Sequence, residues 1–268
     1  MLFGLAAIFG PIAAPDDPAH QDLFNSFARP LSHGHLLGTD QLGRDILSRL
    51  LQGIRISMAV GLVTTAAVLV VGTIVGMVAG YYRGWIDTAI SRVIELTMVF
   101  PALLFIIALS ATVGPRLNHI TFGIFSQGVV TLVLVFSILG WFYPARIMRA
   151  QVLSLREKEF VEAASMIGAS DARIMRSHIM PHLVAPIIVY STLSMASFII
   201  LEASLSFLGL GIDSRVPSWG NLLSTGPAYY LTQPWLMVWP GLAILFTTLA
   251  FNLLGDGLRD AFDPRSAR

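Results

Sequence analysis

The chain has no cysteine, a single lysine and few charges of either sign. Without cysteine it can hold no disulfide and no thiolate-bound metal. Asp, Glu, Lys and Arg together make up 12% of its 268 residues, against about 25% in soluble domains. That deficit is too large for a water-covered surface and points to a membrane protein. A net charge of +1 offers nothing to a polyanion, so no nucleic-acid partner is expected. There is no Gly-x-x-x-x-Gly-Lys-Ser/Thr phosphate loop, so the chain is not expected to bind ATP itself. There is no His-Glu-x-x-His motif. His33 and His35, and His178 and His182, are near-neighbours without a plausible third ligand, and no metal site is expected. No Ser-His-Asp arrangement can be argued. The chain reads as non-catalytic.

What is present is apolar sequence, 55% of the chain. A membrane helix needs about 20 such residues. Residues 56–80 carry no charge at all. Further spans are predicted over 96–113, with Pro101 inside, and over 128–145, left at Tyr143-Pro144. Two more are predicted over 183–208 and 236–254. The first fifteen residues, MLFGLAAIFGPIAAP, lack the positive start of a signal peptide. They read as a sixth span, with room for a true start upstream of this Met. The expectation is an all-α membrane protein of six transmembrane helices. Three regions then share one side. They are 81–95, 146–182 and the tail, and they hold eleven of the seventeen cations. By the positive-inside rule they and the N-terminus face the cytoplasm. Arg29, Arg44, Arg49 and Arg55 on the other side weaken the bias without reversing it.

Residues 156–181, REKEFVEAASMIGASDARIMRSHIMP, are a charged island between two apolar runs. Glu157 to Ile167 contain no Gly or Pro, and Ala163 and Ala164 favour helix. Phe160, Ala164 and Ile167 are expected on one face, with Val161 beside them. Gly168 suits a C-terminal cap. Ser170 and Asp171 suit the start of a second helix, which should stop near Pro181. On residues alone the island is equally well a solvated hairpin that links two spans.

Residues 37–57, LGTDQLGRDILSRLLQGIRIS, place Leu42, Ile46, Leu47, Leu50 and Leu51 at helical spacing. Thr39 or Asp40 can cap that helix, which reads as an interfacial amphipathic elbow feeding the second span. Glu202 is the one charge inside 183–208. It should face the bundle interior or water, either as a pathway or gate residue or as a structural carboxylate. Ser206 lies one turn on. Glu95 follows Arg92 by three residues, as a local helix pair or a substrate contact. Trp219, Trp235 and Trp239 fit an interfacial belt.

The order Glu162-Ala163-Ala164, Gly168, then Ile179-Met180-Pro181 resembles the cytoplasmic coupling loop of bacterial ABC importer permeases. Met180 stands where that pattern has Leu. The resemblance implies a coupling helix seated in a groove of an ATPase subunit. Glu162, Ala163, Ala164, Ser165, Gly168, Ala169, Asp171, Arg173 and Pro181 would form the contact. The stretch 37–57 is similar to the C-type subunit of the dipeptide, oligopeptide and nickel permeases. So are GYYRGWID at 80–87, LEASLSFLGLG at 201–211, PSWGNLL at 217–223 and LGDGLRDAFDPR at 254–265.

That resemblance implies the type I importer permease fold. Residues 1–55 would hold the first span, an external segment and the elbow. Residues 56–268 would be the five-span core, including the coupling loop 146–182. Asp40, Arg44 and Asp45 would lie on the receptor side. It further implies ATP-driven import of di- or oligopeptides by alternating access across a prokaryotic cytoplasmic membrane. The implied partners are a B-type permease subunit, two ATP-binding subunits that hold ATP and magnesium, a substrate-binding protein and lipid. A nickel or other small-solute importer is the nearest alternative. A stand-alone transporter or channel would want more ionisable groups at mid-membrane than Glu202. A membrane enzyme would need a reactive cluster.

Overall fold

The computed structural model describes residues 9–10, 12–117 and 128–262. Helix dominates them. β structure among the described residues is limited to two isolated bridges, Ser32 with His35 and Thr39 with Asp45. The helices are α1 Ile46–Tyr82, α2 Gly84–Met98, α3 Ala102–Leu117, α4 Val129–Gly140 and α5 Phe142–Leu155. They continue as α6 Glu159–Met166, α7 Asp171–Phe207, α8 Trp219–Thr225 and α9 Trp235–Phe262. Helices α1, α7 and α9 are each long and apolar enough to cross a membrane. Two pairs are so together: α2 with α3, bent by 85°, and α4 with α5, bent by 41°. The described residues therefore hold three to five spans. Most of the predicted first span lies outside them.

The start of α1 differs from expectation. Thr39 and Asp40 do not cap it, and no separate elbow helix exists. Asp40 Oδ1 accepts the amides of Leu42 at 2.8 Å and Arg44 at 3.0 Å, which closes a turn instead. Gly43 follows at φ +71°, outside helical space. The cap is Asp45, whose Oδ2 accepts the Ser48 amide at 2.7 Å and its hydroxyl at 2.8 Å. From Ile46 the helix runs without a break through the predicted span 56–80.

Prolines shape the other spans, and three expectations need correction. A proline lacks an N–H and clashes with the carbonyl four residues back. Pro101 divides the predicted span 96–113: α2 ends at Met98 and α3 begins at Ala102. Pro144 does not end the span 128–145. It sits in the first turn of α5, where no donor is missed, and the bend falls at Gly140, whose carbonyl Pro144 cannot serve. Pro181 does not stop the second island helix. Residues 174–179 form a π-helical turn in which the Met180 amide bonds the Met175 carbonyl. The widened turn absorbs the proline, and α7 continues to Phe207.

The chain forms two compact units. The first comprises Met1–Val63, Ile107–Val135 and Met195–Phe251. Its core includes Ile54, Met58, Ile199, Trp219 and Leu222. Trp219 is therefore no belt residue: it is 2% exposed, and its indole N–H donates to the Leu50 carbonyl at 3.3 Å. The neighbouring Gly220 lets α8 press onto α7. A Cβ there would lie 2.6 Å from Ser206 Cβ and 2.7 Å from Ala203 Cα. That approach carries the indole inward.

The second unit comprises Thr64–Ile106, Phe136–Ser194 and Asn252–Arg268. Here α1 meets α5 through Gly72, Gly76 and Gly80, spaced four apart on one helix face. A Cβ on Gly72 would lie 2.6 Å from Pro144 Cγ, and one on Gly76 2.9 Å from Met148 Cβ. Tyr81, Met148, Val152, Val161, Ala164, Ile174, Ile179 and Leu183 make one buried cluster in this unit.

Candidate functional site

The island folds as a helical hairpin within the second unit. Helix α6 ends in a Schellman turn. The Gly168 amide bonds the Ser165 carbonyl and the Ala169 amide the Ala164 carbonyl, both at 3.0 Å, with Gly168 at φ +81°. A β-carbon at that angle costs about 1–2 kcal/mol, which accounts for glycine. Val161 and Ala164 are buried in the cluster described above. Glu162, Ala163, Ser165, Met166 and Ile167 face outward, Met166 and Ile167 by 76% and 86%. Of the three residues expected on one face, Ala164 alone is buried. Phe160 stacks on the ring of His182, 5.1 Å between centroids. Ile167 is the C-cap, where the helical period has ended.

Polar side chains from α1, α2 and α5 hold this hairpin. The Tyr81 hydroxyl donates to Asp171 Oδ1 at 2.9 Å. Arg156 donates to the Tyr81 carbonyl and lies over its ring, 5.4 Å from the centroid. Arg83 pairs with Glu157 at 2.6 Å. Behind the hairpin, Arg149 ties α5 to α2 by gripping Asp87 with Nε and Nη2, the latter at 2.6 Å. Between these anchors lies a cleft of about 570 Å³ lined by Tyr81, Arg156, Glu162, Ser165 and Asp171, among others. Ala169 packs against the buried cluster, and Arg173 and Pro181 are exposed.

The remaining predicted residues fall into three places. Glu202 is fully buried in the first unit. Its carboxylate accepts from Ser57 and Ser206, each at 2.8 Å. Ser57 Oγ also accepts the Trp219 amide at 3.4 Å, and Ser206 Oγ accepts the Ile212 amide at 3.3 Å. An isolated carboxylate in such a place would be very costly, and the hydroxyl shell compensates it. Glu95 is exposed and pairs with Arg92 at 2.9 Å. It borders a second cleft, of about 380 Å³, with Arg146 and Arg149.

Asp40 and Asp45 are buried, and Arg44 is mostly so, its Nε 2.7 Å from Asp40. His35 does have neighbours of ligand type, contrary to expectation: Asp45 at 2.9 Å and Asp16 at 3.9 Å. The sequence could not place them because three separate segments converge there. Asp45 is already engaged as the cap of α1.

Residues 72–268 match the family model described as "Binding-protein-dependent transport system inner membrane component". The chain belongs to this family. It is 40% identical to the dipeptide transport system permease protein DppC of Alkalihalophilus pseudofirmus, over 98% of this chain and 82% of that protein. It is 39% identical to a putative peptide transport system permease protein of Brucella suis, over 97% and 83%. It is 42% identical to the glutathione transport system permease protein GsiD of Pectobacterium atrosepticum, over 87% and 74%. Among solved structures, a chain of the inward-facing MetNI methionine ABC transporter superposes with a TM-score of 0.64. It shares 14% identity and covers 80% of this chain and 95% of that one. That likeness shows the fold.

Sequence reasoning about this inner membrane component missed the anchors of the hairpin. Asp87 is the only acid between Tyr81 and Ile94, and an isolated acid among arginines was a signal for its pairing. The Gly72, Gly76, Gly80 spacing was readable as a packing face. Met166 and Ile167, apolar beside a cap glycine, were readable as an uncovered edge.

Proposed function

We propose that this chain is one of two transmembrane subunits of an ATP-driven peptide importer. It pairs with a homologous B-type permease subunit, and two ATPase subunits bind ATP and magnesium. A substrate-binding protein delivers di- or oligopeptides from outside. The observation that carries this reading is the α6 hairpin. Its inner face is built into the chain through Val161 and Ala164, and its outer face is left uncovered at Glu162, Ala163, Met166 and Ile167. A helix fixed on one side and bare on the other is a seat for a second protein.

In this reading the hairpin faces the cytoplasm and meets an ATPase. Ser165, Gly168, Ala169, Asp171, Arg173 and Pro181 support or flank that contact, and Ala164 supports it from beneath. Glu202 and Ser206 act as a gate latch that holds the α8 segment. Glu95 lines the path at its cleft. Asp40, Arg44 and Asp45 shape the receptor-side loop. The names of the relatives favour peptides over nickel as cargo.

The test is Glu162→Arg in the complete complex. Reversing a charge at a protein contact lowers transport about tenfold or more, while the permease still inserts and accumulates. Wild-type uptake of labelled dipeptide by this variant would sink the coupling assignment.

A further inference from the structure

We propose that Tyr81, Arg156 and Asp171 form a clamp that transmits force between the α6 hairpin and the end of α1. The proposal deepens the coupling reading above and rests on it. Tyr81 is the penultimate residue of α1, and Asp171 is the first residue of α7. Arg156 lies immediately before the hairpin, at the end of α5. Three chain segments therefore meet on one side chain. The Tyr81 ring is 8% exposed and packs in the same cluster as Val161 and Ala164, the inner face of α6. Its hydroxyl reaches Asp171 at 2.9 Å. Its carbonyl takes a guanidinium hydrogen bond from Arg156, whose Cζ lies over the ring 5.4 Å from its centroid.

The arrangement is directional. Apolar packing is non-directional and lets α6 slide along α1 at little cost. A hydrogen bond resists separation. The Tyr81–Asp171 bond makes the hairpin drag α1 when it moves away, and the Arg156 bond does the same for α5. Arg149 with Asp87 extends this tie one layer on, from α5 to α2. The Gly76 and Gly80 contacts keep α1 close against α5, so displacement of one helix moves the other. Tyr81, Arg156 and Asp171 are thus positioning residues. They touch neither cargo nor nucleotide.

The experiment uses the whole complex in proteoliposomes, with binding protein and a dipeptide, and reads peptide imported per ATP hydrolysed. Tyr81→Phe keeps the ring and removes only the hydroxyl. It should lower this ratio about tenfold, the effect of one hydrogen bond to a carboxylate, with the ATPase still co-purifying. Asp171→Ala should match it. The double variant should be no worse than either single one, because both remove the same bond. Asp171→Asn keeps an acceptor and should restore most of the ratio.

A wild-type ratio in Tyr81→Phe, or additive losses in the double variant, overturns the clamp. Failure of the coupling reading is distinguishable, for in that case Glu162→Arg would leave the ratio of the otherwise wild-type complex intact.

Discussion

At the scale of single residues, several buried polar groups carry a definite hydrogen-bonding task. Glu202 is the sharpest case. It is sealed from solvent, and both oxygens accept from serine hydroxyls that in turn accept backbone amides of the following segment. The carboxylate acts there through its acceptors, so its shape matters more than its charge. Glu202→Gln presents an oxygen to one serine and an N–H to the other. It should keep the thermal midpoint of the purified complex and most of the transport. Glu202→Leu has similar bulk and leaves the hydroxyls without their acceptor. It should cost about 2–3 kcal/mol and reduce uptake. Equal melting of the two variants, or loss of uptake in the Gln variant alone, would exclude a latch that works by hydrogen bonding. Sequence reading identified Glu202 as the embedded carboxylate, because a lone acid in an apolar run is conspicuous. Its partner Ser57 was out of reach, since it lies 145 positions away along the chain.

At the scale of elements, the described long helices form where apolar runs predict them, and the differences concern their ends and their internal breaks. Propensity and hydropathy say where a helix can exist. They do not say what a proline will do. Pro101 breaks a span, Pro144 bends one, and Pro181 is absorbed by a π-helical turn. The outcome depends on whether the freed carbonyl finds room or another donor, which is a tertiary matter. Helix pairing follows a simpler rule. Gly72, Gly76 and Gly80 give α1 a bare strip on which α5 lies, with Met148 Cβ 2.9 Å from where a Cβ on Gly76 would stand. Gly76→Leu has no space to enter without parting the two helices. Overpacking of this kind costs about 1–3 kcal/mol or more. Far less of this variant should survive in the membrane fraction than of Val71→Leu, at a position exposed to 40%. Equal accumulation of the two would mean that the strip does not carry the pairing.

At the scale of the whole molecule, the charged island was legible as a helical hairpin because charge is rare here and stands out. Its anchors were not, because each pairs residues more than seventy positions apart. Sidedness is the remaining whole-chain property, and the absence of cysteine makes it directly testable. Helix α7 runs 37 residues from Asp171 to Phe207. At about 1.5 Å per residue it is longer than the roughly 30 Å hydrocarbon core. The expected topology puts its two ends on opposite faces of the bilayer. Ile167 lies exposed just before one end, and Ser214 lies exposed just after the other. With no native thiol in the sequence, Ile167→Cys and Ser214→Cys each give a chain with one reactive group. A membrane-impermeant maleimide applied to intact spheroplasts should label the Ser214 variant and spare the Ile167 variant. Inside-out vesicles should give the reverse pattern. Added ATPase subunits should then protect Ile167→Cys from the reagent, since that side chain borders the uncovered face of α6. Labelling of Ile167→Cys from the outside would invert the topology and remove the hairpin from reach of any cytoplasmic ATPase.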